Sequence, residues 1–182
     1  MPVVDDGHLR LDAWGNFYLA ASAAAATLGG LLFVVITLAA DRQLSSEYER
    51  IRVYLTPTVV YFVSVLLLAV VLTFPTHSRL SATLCCGGVS GVGVVYSPSV
   101  LRHARRFRER IDRWHYALLP AAAFGLLVAG TAILHTSDAG TGLTVVAAAM
   151  LALLAIGIRN SWAIAVTIVM PRSQSGDKEG GG

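Results

Sequence analysis

The residues of this chain whose types can do chemistry are few: a serine between glycines (Gly88-Val89-Ser90-Gly91), two adjacent cysteines (Cys85, Cys86), five scattered histidines and an Arg159-Asn160 pair. A serine acts as a nucleophile only with a base within hydrogen-bond reach. The one histidine on a plausible neighbouring segment is His135, at that segment's far end, whereas Ser90 lies about 15 Å into its own. The two are not expected to meet, so serine hydrolysis is not expected either. Vicinal cysteines seldom pair, and no further Cys or nearby His completes a metal site. Cys85 and Cys86 therefore read as small hydrophobes, with acylation as the alternative. His8, His77, His103, His115 and His135 show no ligand spacing. There is no phosphate-binding glycine loop, dinucleotide fingerprint or paired acidic motif. The expectation is a chain that is not an enzyme and holds no metal or cofactor.

The elements that would position these residues are apolar. Of 182 residues 55% are hydrophobic and only 14% charged, and the mean hydropathy is +0.64, well outside ordinary globular usage. A helix needs about 20 mostly apolar residues to cross a hydrocarbon core roughly 30 Å thick. Five segments meet this: 17–40, 55–74, 80–101, 116–134 and 141–170. None carries Asp or Glu, and only the last contains Arg. An outer-membrane barrel would alternate apolar and polar residues over segments of about ten, which these runs do not. Asp5, Asp6 and Asp12 precede the first segment, the reverse of a signal peptide's basic n-region, so that segment is expected to be retained. The fold class expected is all-α: a polytopic transmembrane bundle over residues 17–170.

Orientation follows from the basic residues, of which thirteen are Arg and one, Lys178, is Lys. When tails and loops are assigned alternately to two sides, Arg10 and Arg79 fall on one. The other twelve fall opposite, including Arg42, Arg50 and Arg52, six arginines between 102 and 113, and Arg159, Arg172 and Lys178. By the positive-inside rule the rich side is cytoplasmic. Residues 1–16 then form an extracytoplasmic tail and 171–182 a disordered cytoplasmic one. The setting expected is a bacterial plasma (inner) membrane crossed five times.

The fifth segment, at 30 residues and about 45 Å, overshoots the bilayer. Arg159 then has two readings. Near the inner interface it snorkels to phosphates beside Trp162; nearer mid-membrane it is buried and paired with Asp41, Glu47 or Asp112, with Asn160 bonding a neighbouring helix. Thr83, Gly87 and Gly91 recur every four residues, as do Ser22, Ala26 and Gly30, and such small-residue faces let helices approach closely. The two faces are expected to meet, within one chain or between subunits. Pro57, Pro98 and Pro120 are expected near helix ends, where a missing amide donor matters little. Arg102, Arg105, Arg106, Arg108, Arg110 and Arg113 read either as contacts to anionic lipid head groups, each contributing about 1 kcal/mol, or as a topology signal without a ligand. Nucleic acid is not an expected partner, because a short juxtamembrane loop offers no stacking platform.

Four stretches, NFYLAASAAAATLGGLLFVVITL (16–38), RVYLTPTVVYF (52–62), WHYALLP (114–120) and IGIRNSW (156–162), resemble an uncharacterised family of small bacterial multi-pass integral membrane proteins of the actinobacterial type. The resemblance implies no activity. It implies that Asn16, Phe17, Tyr18, Thr56, Pro57, Trp114, Pro120, Arg159, Asn160 and Trp162 are the family-pattern positions, with Ala163 standing where the pattern has an acidic residue. The GVSG stretch is similar to the GxSG of rhomboid proteases over four residues only. Two functional classes stand. One is a non-enzymatic membrane protein acting through helix association, as a homo-oligomer or a regulatory partner of a membrane complex. The other is a small oligomeric channel or carrier with a path along Arg159, Asn160, Thr37, Ser64 and Ser90.

Overall fold

The computed structural model describes residues 14–41, 45–74, 78–104 and 110–169, with side chains described over 14–37, 55–74, 78–96 and 118–166. Its elements are five α-helices: α1 (Gly15–Asp41), α2 (Ser45–Leu72), α3 (Arg79–Ala104), α4 (Arg110–Thr136) and α5 (Ala139–Val169). Four stretches within them, Gly15–Thr37, Leu55–Leu72, Leu118–Thr136 and Ala139–Val166, are long and apolar enough to cross a membrane. A helix is the form such runs take because every backbone donor finds its acceptor inside the segment. At 26 residues, about 39 Å, α3 has the length, but its Gly87–Gly93 stretch, rich in glycine with one serine, lowers its hydropathy.

Helix ends differ from the apolar boundaries expected above. α2 begins ten residues before Leu55, through the charged stretch SSEYERIRVY, and α4 begins at Arg110. Hydropathy marks where a chain leaves hydrocarbon, whereas helical hydrogen bonding continues through charged residues of good helix propensity. The two tails expected at 1–16 and 171–182 lie almost wholly outside the described residues.

Consecutive helices run antiparallel. From Gly87 to Gly93 α3 advances while its partners on α4 step back, from Thr131 to Phe124. α1 packs on α2 and α5, α2 on α3 and α5, and α4 on α3 and α5, so the α2–α5 pair crosses the middle. Between α4 and α5 the fit is reciprocal. A Cβ added at Gly130 would lie 2.9 Å from the Val146 amide nitrogen, and one at Gly142 would lie 2.6 Å from the Leu134 Cα. Each glycine thus receives the large residue that stands four positions beyond the partner's glycine.

Side chains divide as a membrane setting requires. Inside are Tyr18, Tyr61, Phe62, Phe124, Leu127, Met150 and Leu153. Outside, large apolar groups stand exposed on all five helices: Phe33 at 61%, Leu67 at 51%, Val95 at 76%, Leu118 at 57% and Trp162 at 72%. A water-soluble monomer rarely exposes so continuous an apolar surface.

Two helix starts carry caps. The Thr141 amide donates to Asp138 Oδ2 at 2.7 Å ahead of α5, and the Ser81 amide donates to Ser78 Oγ at 3.2 Å ahead of α3. Hydrogen bonds from the Thr141 amide and then its side chain, with the Gly140 amide and Arg79 contributing less, hold the Asp138 carboxyl below the usual carboxylate range. The prolines correct the expectation above: Pro57 and Pro120 stand inside α2 and α4, and Pro98 within the α3 backbone. Pro57 therefore has no N–H to give the Val53 carbonyl.

Candidate functional site: the polar end of helix five

The sequence IGIRNSW occupies the last third of α5, and helical geometry sorts its residues by face. Successive residues turn about 100°. Gly157 faces α2, where a Cβ would overlap the Phe62 ring, so the phenyl fixes the rotation of α5. Asn160 and Ser161 fall either side of the Gly157 line and share its inward face. Asn160 is only 5% exposed. Arg159 and Trp162 fall on the opposite face, and both are exposed. Arg159 lies 20 residues, about 30 Å, from the start of α5, the thickness of a hydrocarbon core. Helix phase separates Arg159 from Asn160, and the apolar stretch Ala139–Val166 continues seven residues beyond the arginine. The carboxylates considered as its partners, on Asp41, Glu47 and Asp112, lie outside the described side chains.

Among the described residues four side-chain polar atoms are buried without a hydrogen-bond partner: Asn160 Nδ2, Ser161 Oγ, Tyr61 Oη and Tyr18 Oη. Ser161 stands apart from other hydroxyls here. Thr131 Oγ1 donates to the Leu127 carbonyl at 2.8 Å, and Thr37 Oγ1 to the Phe33 carbonyl at 3.0 Å, the back-bond that quiets a hydroxyl in a helix. Tyr61 is 1% exposed, and its ring meets Phe124 at 6.1 Å and 56°. Phe124 in turn fills the space over Gly93, where a Cβ would overlap its ring. Tyr61 and Ser161 were not singled out from the sequence, and Tyr18 was named there only as a family-pattern position. A hydroxyl-bearing aromatic inside an apolar span, needing a partner when buried, is the signal that points to them.

The remaining candidates are scattered. Ser90 is 3% exposed and donates to the Cys86 carbonyl at 2.6 Å. Since Gly87 is level with Thr131, His135 is level with Thr83, about 10 Å along the axis from Ser90. Cys86 is buried and Cys85 half-buried, both free. Among the described residues no group of three His, Cys, Asp or Glu is placed to hold a metal ion.

The small-residue strips of α1 and α3 are not brought together within the chain. Ala26 and Gly30 are exposed, and nothing lies within 4 Å of a Cβ built at Gly30 or Gly91. Ser22 donates to the Leu19 carbonyl at 2.8 Å and Thr83 to the Arg79 carbonyl at 2.8 Å, so neither hydroxyl reaches across. Only Gly87 meets a neighbour, and that neighbour is Thr131 of α4, at 3.9 Å. The helices closest in the bundle instead use Gly130 and Gly142. Of the proposed path, Thr37 is exposed on α1, while Ser64 and Ser90 are buried. Arg102, Arg110 and Arg113 fall within the α3 and α4 backbones and Arg105, Arg106 and Arg108 outside the described residues; none of the six side chains is described.

The architecture is a five-helix bundle with four helices fit to cross a membrane and with buried polar side chains near the end of α5. No protein-family model matches the chain, and neither a curated protein nor a solved structure matches it.

Proposed function

We infer that the chain is a multi-pass integral protein of a bacterial plasma membrane that acts without catalysis, through helix association. In this reading α3 is the fifth span, the N-terminus is outside and the C-terminus cytoplasmic. The observation that carries it is the apolar belt. Leu84 at 66%, Val92 at 61% and Val95 at 76% put the same outward surface on α3 that the other four helices present. Lipid covers such a surface at no cost.

Association is supported by α1. Only 17% of its apolar window is buried, against 39–50% for the other three candidate spans, and its Ser22-Ala26-Gly30 strip is free for a second copy of the chain. The arginines at 102–113 would hold anionic head groups on the cytoplasmic side. Two differently tagged copies, co-expressed and solubilised, test the reading. Co-purification that Ala26→Leu and Gly30→Leu abolish, with the fold retained, is expected. Co-purification unaffected by either substitution refutes this interface, and capture of an unrelated membrane protein instead marks a regulatory partner.

A small channel or carrier is the second reading, favoured by the buried polar side chains of Ser64, Ser90 and Asn160. Solute or ion flux through liposomes holding the purified protein separates it from the first.

A further inference from the structure

Three unpartnered donors, Tyr61 Oη on α2 and Asn160 Nδ2 and Ser161 Oγ on α5, fall near one level of the bundle by helix register. The Gly157–Phe62 contact sets the register, and the helices are antiparallel, so Asn160 and Ser161 on α5 lie level with Thr58 and Val59 on α2. Tyr61 is one turn from that level, and a helical tyrosine leans toward its helix's N-terminus, which carries its hydroxyl to the same height. Around the α2 axis, Thr58 stands between the Phe62 face and the Tyr61 face, joining the two. Tyr61 Oη, Asn160 Nδ2 and Ser161 Oγ are each buried and unpartnered. The same turn of α2 carries Pro57, which leaves the Val53 carbonyl without its helical donor. Buried donors that find no partner within the protein, in a low-dielectric bundle, are what a buried water needs.

We propose that water occupies an internal site between α2 and α5, held by Tyr61, Asn160 and Ser161 and continuous with the aqueous phase at the end where α5 finishes. Ser161 lies 22 residues, about 33 Å, from the start of α5, at the edge of a hydrocarbon core. Tyr61 lies about 9 Å inside the apolar stretch that starts at Leu55. The site thus runs from the interface into the bundle, opposite the face where Arg159 and Trp162 meet lipid. It rests on the membrane reading above, and its test is independent of it: fractionation with membranes reports that reading, while the substitutions report the site.

The test uses the full chain in nanodiscs. Tyr61→Phe and Asn160→Leu remove donors while keeping shape. A donor orphaned in a dry core destabilises the fold, so deleting it raises the melting temperature; a donor bonded to water stabilises it, so deleting it lowers the melting temperature. A fall of about 2–4 °C for each substitution is expected. No change or a rise in both overturns the proposal. Ser161→Cys, in a Cys85→Ala/Cys86→Ala background, is expected to react with a small water-soluble methanethiosulfonate roughly tenfold faster than lipid-facing Ile158→Cys, because only a hydrated thiol ionises. Equal, slow reaction at both positions also overturns it. If the cysteine variants do not assemble, the sign of the Tyr61→Phe shift decides alone.

Discussion

Gly142→Ala should destabilise the bundle although it adds one methyl group and improves helix propensity. The added Cβ would lie 2.6 Å from both the Cα and the amide nitrogen of Leu134 and 2.8 Å from its Cβ. All three are fixed parts of α4, so no rotamer change relieves the overlap. α4 and α5 must separate, which also loosens the Gly130–Val146 contact one turn away. Overpacking of this kind costs about 1–3 kcal/mol. At about 2–4 °C per kcal/mol for a chain of this size, the melting temperature should fall by roughly 2–12 °C. Gly125→Ala is the matched control, since nothing lies within 4 Å of its added Cβ and the exchange gains up to about 1 kcal/mol of propensity. Both variants can be melted with a thiol-reactive dye reporting exposure of buried Cys86. A Gly142→Ala melt equal to or above that of Gly125→Ala would refute the close α4–α5 crossing.

Three further outcomes are expected. Phe124→Ala opens a cavity beside Gly93 and Tyr61 and should cost about 3–5 kcal/mol by thermal melt, and Gly93→Ala should be harmful in the native background yet tolerated beside Phe124→Ala, a coupling a double-mutant cycle reads directly. Asp138 has a lowered pKa in the folded chain, so its capping contribution is complete above the ordinary carboxyl value of 3.8 and is lost as pH falls through the lower folded value; the melting gap between the native chain and Asp138→Ala should be constant from about pH 7 to 5 and close below about pH 4. A cysteine at Arg159, in a background lacking the native pair, should be labelled rapidly by a membrane-impermeant reagent from one side of the membrane only, and protection in a folded variant would return the arginine to the interior.

Hydropathy made four of the spans legible because transfer from water to lipid is additive along a run of residues. α3 was legible only in part, since its glycines and serines dilute the same signal while its exposed Leu84, Val92 and Val95 carry the apolar face. The small-residue pattern misled for a physical reason. A repeat at every fourth position says that a helix has a flat face, and says nothing of which helix arrives there. Gly130 and Gly142 were invisible to that rule: the residues four away are Leu126 and Leu134 for the first, Asp138 and Val146 for the second. Their contact is a notch meeting a knob on each helix, a pattern that exists only when both helices are considered together.

The same point decides what IGIRNSW does. Sequence order puts Arg159 and Asn160 side by side, and a reading by proximity assigns them one role. A helix turns adjacent residues about 100° apart, so one of the pair faces the bundle and the other faces outward. Which is which depends on rotational phase, and the phase is set three residues earlier, where Gly157 admits the Phe62 ring. A rotation of α5 by one residue would turn an arginine toward Phe62 and Tyr61 and move the glycine notch off the phenyl ring. The charge would then need a carboxylate in the core, and among the described side chains of the five helices none is buried. An ordinary packing contact thus puts the guanidinium on the exposed face of α5 and the amide inside the bundle, so the two neighbours stand in different surroundings.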